Sequence, residues 1–407
     1  MRTAYRCRAY PTPEQAAMFN RTFGCVRLVW NKTLAERHAA YRQRGERISY
    51  RQADAALTGW KKTAQLAFLS EVSSVPLQQT LRHQQTAFAN FFASRARYPR
   101  FKSRDGRQSA HYTRSAFRIK NAGLYIARTD GPLEVSWSWP DIDLATLNPT
   151  MVIISRDTDG RWYTTFTVDI TDPTPVAPAG HEVGVDLGIT DFAVTSDGGR
   201  IANPRHLERR ARNLARYQRR LARCRKGSAN RRKAKAKVAR AYRKIRNARQ
   251  DFLHRVSTRL VRSAALIAVE DLAVTNMVRN RRLARAISDC GWGEFRRQLE
   301  YKAKRAGRTL VIVDRWYPSS KTCSVCGHLL ATLPLGTRHW TCPDCRTRHD
   351  RDVNAAKNIL AAGRAVAGND PGNACGADVR QQGPSLLRSA KKQETSGATQ
   401  RTPTLQL

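Results

Sequence analysis

Apolar residues recur at helical spacing through the first hundred positions and at alternate positions through the next sixty. Leu77, Leu81, Phe88 and Phe92 line one face of a helix predicted to start at Pro76. Thr12-Pro13-Glu14-Gln15 and Ser49-Tyr50-Arg51-Gln52 are capping boxes, the first with proline at the opening helical position, and mark two earlier helix starts. Tyr98-Pro99-Arg100-Phe101-Lys102 then forms a basic, aromatic loop. From about Tyr112 the period drops to two. Leu133, Val135, Trp137 and Trp139 alternate with polar residues, and Met151–Ser155 and Trp162–Val168 flank Asp157-Thr158-Asp159-Gly160, a good hairpin turn. The pattern predicts a small β domain, expected to close as a barrel.

Pro173-Thr174-Pro175-Val176-Ala177-Pro178 reads as a stiff linker and domain boundary. Beyond it come strands at Val183–Leu187, Phe192–Ser196 and Arg200–Ile201, then long basic helices. A strand at Ala265–Val269, a helix over Phe295–Ala306, a strand at Thr309–Val313 and a helix over Val353–Ala361 complete the set. Three strands, helix, strand, helix, strand, helix is the order of an α/β RNase H-like fold. The composition after about Gly363 predicts a disordered tail.

Charge narrows the range of partners. With 73 Lys and Arg against 32 Asp and Glu, the 407-residue chain carries a formal net charge of +41, which calls for a polyanion. Between Arg205 and Arg249 lie twenty Lys or Arg and a single acid, Glu208. Leu207, Leu214, Tyr217, Leu221, Val238, Tyr242 and Ile245 keep a helical apolar stripe through that run, and Gly227-Ser228 breaks it into two helices. A solvated face mixes signs to relieve repulsion, and this one does not. Arg209, Arg210, Arg216, Arg219, Arg220, Arg223, Arg231, Arg232 and Lys233, with Arg100 and Lys102 of the aromatic loop, are the candidate nucleic-acid contacts. No signal peptide or membrane-length apolar run is evident, so the expected location is the cytosol or nucleoid, with no membrane partner.

Two chemical sites follow. Cys323, Cys326, Cys342 and Cys345 form two C-x-x-C pairs with fifteen residues between them, the spacing of a tetrahedral Zn²⁺ ribbon rather than of a redox pair. Cys7, Cys25, Cys224, Cys290 and Cys375 show no pairing logic and read as free thiols. Asp186 lies in the first strand of the predicted RNase H-like set, Glu270 ends the fourth, and Asp352 opens the last helix. That fold brings all three together, and converging carboxylates suit Mg²⁺ or Mn²⁺ and phosphodiester chemistry. Singly, Asp186 reads equally as a turn residue, Glu270 as an arginine partner and Asp352 as a helix cap. Asp271 and Asp350 are the neighbours most easily mistaken for the functional acids.

Val183-Gly184-Val185-Asp186-Leu187-Gly188-Ile189, Val269-Glu270-Asp271-Leu272 and Asp350-Arg351-Asp352-Val353-Asn354-Ala355-Ala356-Lys357-Asn358-Ile359 resemble the RuvC motifs of the TnpB (OrfB) family. Gly293-Glu294-Phe295-Arg296, Leu299-Glu300-Tyr301-Lys302-Ala303 and Pro318-Ser319-Ser320-Lys321-Thr322-Cys323-Ser324 do so too, as do Tyr10-Pro11-Thr12, Val29-Trp30-Asn31 and Pro99-Arg100-Phe101-Lys102. The resemblance covers nearly the whole chain and is looser in its N-terminal half. It implies an insertion-sequence-encoded, RNA-guided DNA endonuclease that binds a guide RNA from its own element. Such an enzyme reads a short adjacent motif in duplex target DNA and cuts with one Mg²⁺-dependent RuvC site. By that likeness Asp186, Glu270 and Asp352 are the catalytic acids and the four cysteines the structural zinc site. The implied division is a wedge-like β domain (1–10 and 112–172) with a helical recognition insertion (11–111), and a RuvC-like domain (181–320 and 346–363). A zinc ribbon (321–345) and a tail (364–407) complete it. The oligomeric state stays open, with a monomer on RNA as one option. A transposase acting directly on transposon-end DNA, or a guided repressor that does not cut, are the alternatives.

Overall fold

The computed structural model describes residues 2–137, 139, 143, 144, 146–169 and 180–369. Both capping boxes form. Thr12 and Gln15 close the first around α1 (Pro13–Arg44), and Ser49 and Gln52 close the second around α2 (Tyr50–Lys62). The third helix, α3 (Ser74–Phe92), starts two residues before Pro76. It buries Leu77, Leu81 and Phe88, while Phe92 at its last turn is exposed.

The period-two region, joined by an N-terminal strand, forms a five-stranded antiparallel sheet. Its strands are β1 (Arg2–Tyr10), β2 (Gln108–Thr113), β5 (Glu134–Ser136), β6 (Met151–Arg156) and β7 (Trp162–Asp169), ordered β2-β6-β7-β1-β5. Among the described residues the sheet ends in β2 and β5 rather than closing as the expected barrel. A separate hairpin pairs β3 (Phe117–Lys120) with β4 (Gly123–Ile126). Phe19 and Phe23 of α1 pack against Tyr5, Tyr112, Val152, Ile154 and Phe166 of the sheet, which joins the helical layer to the β core. The Pro173–Pro178 linker lies outside the described residues.

The second half has the expected order: β8 (Glu182–Leu187), β9 (Asp191–Thr195), β10 (Arg200–Ala202), α4 (His206–Arg223), α5 (Ala229–Ser263) and β11 (Leu266–Glu270). Two short helices that the pattern did not predict follow, α6 (Val274–Met277) and α7 (Ala284–Cys290). Then come α8 (Trp292–Ala306), β12 (Thr309–Val313), the ribbon strands β13 (His339–Thr341) and β14 (Arg348–Asp350), and α9 (Arg351–Asn369). The sheet order is β10-β9-β8-β11-β12, with β8, β11 and β12 parallel and β9 and β10 antiparallel.

Strand alternation sorts the two faces of this sheet. Val183, Val185, Ile267 and Val269 point into a core shared with α5, α7 and α8, built around Phe192, Trp292, Phe295 and Leu299. Leu266 and Ala268 face the other way, against Ile359 and Leu360 of α9. Two glycines let this helix lie very close. A Cβ on Gly184 would overlap the Ala356 carbonyl and come within 2.7 Å of the Leu360 nitrogen, and one on Gly363 would press on the Ala268 methyl. Gly363 is therefore a packing position inside the helix, which continues to Asn369; residues 370–407 of the expected tail lie outside the described residues. Among the described residues, no helix is long and apolar enough to cross a membrane.

Candidate functional site

The α9 face of the sheet carries the acids. Val185 pairs with Val269 across the parallel strands, so the next residues, Asp186 and Glu270, stand side by side at the strand ends. Both fall on the face occupied by Gly184, Leu266 and Ala268. The contact of Gly184 with Ala356 sets α9 so that its first turn, with Asp352, lies near Asp186. The three acids named from the sequence are thus brought together.

Their electrostatics follow from that placement. Burial, reinforced by the charges of Glu270 and then Asp352, pushes the Asp186 carboxyl up to about 8. Arg351 and Arg338 pull in the opposite direction. Burial also raises Glu270, partly offset by the Ser319 hydroxyl that donates to its Oε1. A buried carboxyl held up by two neighbouring acids is a site short of positive charge, and its oxygen donors fit a hard divalent cation. Among the described residues, however, these carboxylates are not gathered as tightly as the cysteines.

The neighbouring acids have other partners. Asp350 accepts the backbone N–H groups of Asp352 and Val353 at 3.1 and 3.0 Å, and its other oxygen accepts from Arg200 at 2.6 Å. Asp350 therefore caps α9, the part considered for Asp352 from the sequence. Asp271 is held by Arg296 and Arg315. Among the described residues, the Asp352 carboxylate accepts hydrogen bonds from Arg338, at 3.3 and 3.4 Å, which approaches from the ribbon.

In the ribbon the four Sγ atoms lie within 4.8 Å of one another. Cys323 and Cys345 are 3.6 Å apart, as are Cys326 and Cys342. Disulfide sulfurs would be about 2.05 Å apart, whereas thiolates bound 2.3 Å from a tetrahedral zinc have edges of about 3.8 Å. The quartet therefore fits structural Zn²⁺. The Cys345 thiol is hydrogen-bonded with Thr347, donating to its Oγ1 at 3.3 Å, and this pairing draws the thiol down to about 6. His349, which sequence reasoning passed over, places its Nε2 3.1 Å from Cys323 and its ring against Trp340.

Two asparagines tie this ribbon to the acids. Asn354 accepts the Ser324 N–H at 2.9 Å and donates to the Thr322 carbonyl at 2.7 Å. Asn358 donates to the carbonyls of Ser319 and Thr322. Both lie on α9 behind Asp352, so one helix carries the third acid and anchors the first cysteine knuckle.

The basic positions divide by role. Arg209, Arg210, Arg216, Arg219, Arg220 and Arg223 are exposed along α4, and Arg232 and Lys233 along α5. Arg231 is half-buried instead, donating to the carbonyls of Leu221 and Cys224 and closing the turn between the helices. Arg100 is exposed. Lys102 is exposed overall, but its ammonium lies 4.2 Å from the Trp30 ring centroid and its pKa is lowered by desolvation.

Asp157 and Asp159, expected as turn residues, reach across to the basic helix: Arg246 donates to Asp157 at 2.8 Å, and Arg243 to Asp159. Arg6 of β1 also faces Asp157. A partly buried ion-pair network thus latches the β sheet to α5. These ionic partners are more than eighty residues apart in the chain, so no local pattern announces them.

The fold and these two centres define a RuvC-like domain carrying a four-cysteine insert. Family models match in three places: "Probable transposase" of the OrfB IS605 type over residues 165–281, a Cas12f1-like TNB domain over 292–359, and a helix-turn-helix domain over 1–46. A Streptomyces pristinaespiralis protein named "Putative RNA-guided DNA endonuclease" is 53% identical over 409 residues, covering 100% of this chain and 99% of that protein. Escherichia coli (strain K12) "Putative RNA-guided DNA endonuclease InsQ" is 31% identical over 94% of this chain and 96% of its own. In fold, the chain is similar to the protein of a Cas12f1–sgRNA–target DNA complex, with a TM-score of 0.55 and 15% identity, over 86% of this chain and 83% of that one. The chain belongs to the TnpB (OrfB) family.

Proposed function

We propose that this protein is an insertion-sequence-encoded, RNA-guided DNA endonuclease, and that Asp186, Glu270 and Asp352 are its catalytic acids. The observation that carries this reading is their convergence at the open end of the sheet, with the Asp186 carboxyl raised by burial and by the other two. Full-length similarity to relatives named as RNA-guided DNA endonucleases supports the guided character.

In this reading the three carboxylates hold Mg²⁺ or Mn²⁺, which when bound activates water and stabilises the leaving oxygen of a phosphodiester. The chain's own residues set the stage for that chemistry. Ser319 fixes the rotamer of Glu270, and Asp350 orders the first turn of α9 so that Asp352 faces Asp186. Arg338 pairs with Asp352 and is placed to meet a phosphate. Structural zinc would keep the ribbon rigid beneath it.

The exposed arginines of α4 and α5 then grip nucleic-acid backbone, while base pairing with a guide supplies sequence selectivity. The β sheet and helices α1 to α3 would serve as wedge and recognition insertion, near the boundaries set out above, and read the short motif beside the target. Arg231 and Lys102, engaged within the protein, contribute less to phosphate contact than their exposed neighbours.

The test is plasmid cleavage by protein co-expressed with the transcript flanking its gene. The plasmid carries a matching target beside a randomised flank, with and without Mg²⁺. Cutting that requires RNA, cation and a particular flank is the expected result. Cutting of transposon-end DNA without RNA would instead support a transposase. RNA-dependent binding without cutting would support a repressor.

A further inference from the structure

Trp316 is out of keeping with the other tryptophans. Trp30, Trp292 and Trp340 are buried, yet Trp316 is 84% exposed and, among the described residues, stacks on no other ring. Its backbone is nonetheless fixed. The Trp316 N–H donates to Asp314 Oδ1 at 2.7 Å, and the Tyr317 N–H donates to the Asp314 carbonyl at 3.1 Å. Arg315 is locked to Asp271, and Tyr317 packs against the apolar cluster beneath α9. A rigid turn thus holds out a large apolar ring whose burial would ordinarily contribute to folding.

The position of that turn gives the ring its meaning. Val313, three residues before Trp316, pairs with Glu270 at the end of the sheet. Ser319, three residues after it, hydrogen-bonds the Glu270 carboxylate. Three residues span at most about 10 Å, so the turn that carries the indole lies at the rim of the acid site. The acid site it borders carries cations: Arg315 precedes the ring in the chain, and Arg338 and Arg351 act on Asp186. A protein partner would need a contiguous apolar patch, and this ring packs on no other ring among the described residues, in a chain of net charge +41. An aromatic face between cations suits a nucleobase, whose ring stacks while its phosphates meet the arginines.

We propose that Trp316 is a stacking platform for an unpaired base of the DNA strand being cut, seating the scissile phosphate against the three acids. This rests on the nuclease reading and adds to it that the strand enters the site unpaired and is positioned by stacking rather than by base-specific hydrogen bonds. A Trp316→Phe change keeps a π face, whereas Trp316→Leu and Trp316→Ala remove it. The ring touches no folded core, so melting temperature is expected to stay constant across the series.

The experiment uses full-length protein purified with its RNA and a matched duplex target. Trp316→Ala and Trp316→Leu are expected to cut about tenfold more slowly, with Trp316→Phe near wild type and target binding unchanged. In an Asp186→Asn background, 2-aminopurine in the DNA beside the mapped cut is expected to be quenched, and Trp316→Ala to relieve the quenching. Wild-type cutting with RNA, but equal rates and equal quenching for Trp316→Ala, overturns the platform alone. Quenching of 2-aminopurine placed in the RNA instead of the DNA also overturns it. A wild-type protein that cuts nothing with any bound RNA overturns the nuclease reading and the platform with it.

Discussion

Asp350 caps the helix that presents Asp352: its Oδ1 accepts the Asp352 and Val353 N–H groups at 3.1 and 3.0 Å. Two acids separated by one arginine therefore do different work, one ordering backbone and the other facing Asp186. Asp350→Ala is expected to lower stability by about 1 kcal/mol, as loss of a helix cap does, and to slow cleavage only in part. Asp352→Asn is expected to abolish cleavage with the melting temperature maintained. Urea unfolding and cleavage rates on the same two proteins check the division; the reverse pattern would exchange their roles.

The raised Asp186 carboxyl gives a pH signature. Its pKa moves from 3.8 to about 8, so the folded protein holds a proton there that the unfolded chain releases. The group's contribution to stability is fully present below the ordinary value and is lost as pH rises towards 8. Cation binding competes with that proton. Mg²⁺ or Mn²⁺ is therefore expected to raise the melting temperature more at about pH 9 than at about pH 6. Asp186→Asn should flatten this dependence. Thermal melts across that range, with and without cation, measure it, and a cation effect indifferent to pH in the wild type would contradict the assignment.

Zinc should matter to cleavage through the helix shared by the two centres. Asn354 and Asn358 fasten the first knuckle to α9. Cys323→Ser is expected to lose zinc, measured by atomic emission, and to slow cleavage by more than about tenfold as the ribbon loosens beside Asp352. Normal zinc content in that variant would mean the quartet is not the site.

The latch between the β sheet and α5 predicts unequal costs. Arg243 and Asp159 are both deeply buried, so Asp159→Asn strands a buried guanidinium and is expected to destabilise by about 3–5 kcal/mol. Arg6 and Arg246, the partners of Asp157, keep contact with water. Asp157→Asn should cost less, about 1–2 kcal/mol. Urea denaturation of the two variants decides it.

Much of this architecture was legible in the sequence because it rests on local rules. The capping boxes at Thr12 and Ser49, the period-two strands and the C-x-x-C pairs each carry their physics within a few residues. The convergence of Asp186, Glu270 and Asp352 was legible because the order of elements dictates which strand ends and which helix start meet. What escaped the sequence is long-range. Ser319 acts on Glu270 forty-nine residues away, and Arg243 on Asp159 eighty-four away. The continuation of α9 past Gly363 was missed because the composition beyond it reads as a tail, whereas the glycine here admits the Ala268 methyl. Arg231 sits in a charge run whose other members are exposed, and only the turn geometry reveals that it is engaged.

The most direct test of the central claim is guided cleavage by the wild type beside Asp186→Asn, Glu270→Gln and Asp352→Asn, each purified with the same RNA. The expected result is metal- and RNA-dependent cutting by the wild type. Each variant should lose at least about a thousandfold in rate while binding the matched duplex normally. Cutting retained by any one of the three, with its fold and RNA intact, would show that the chemistry lies elsewhere than at these carboxylates.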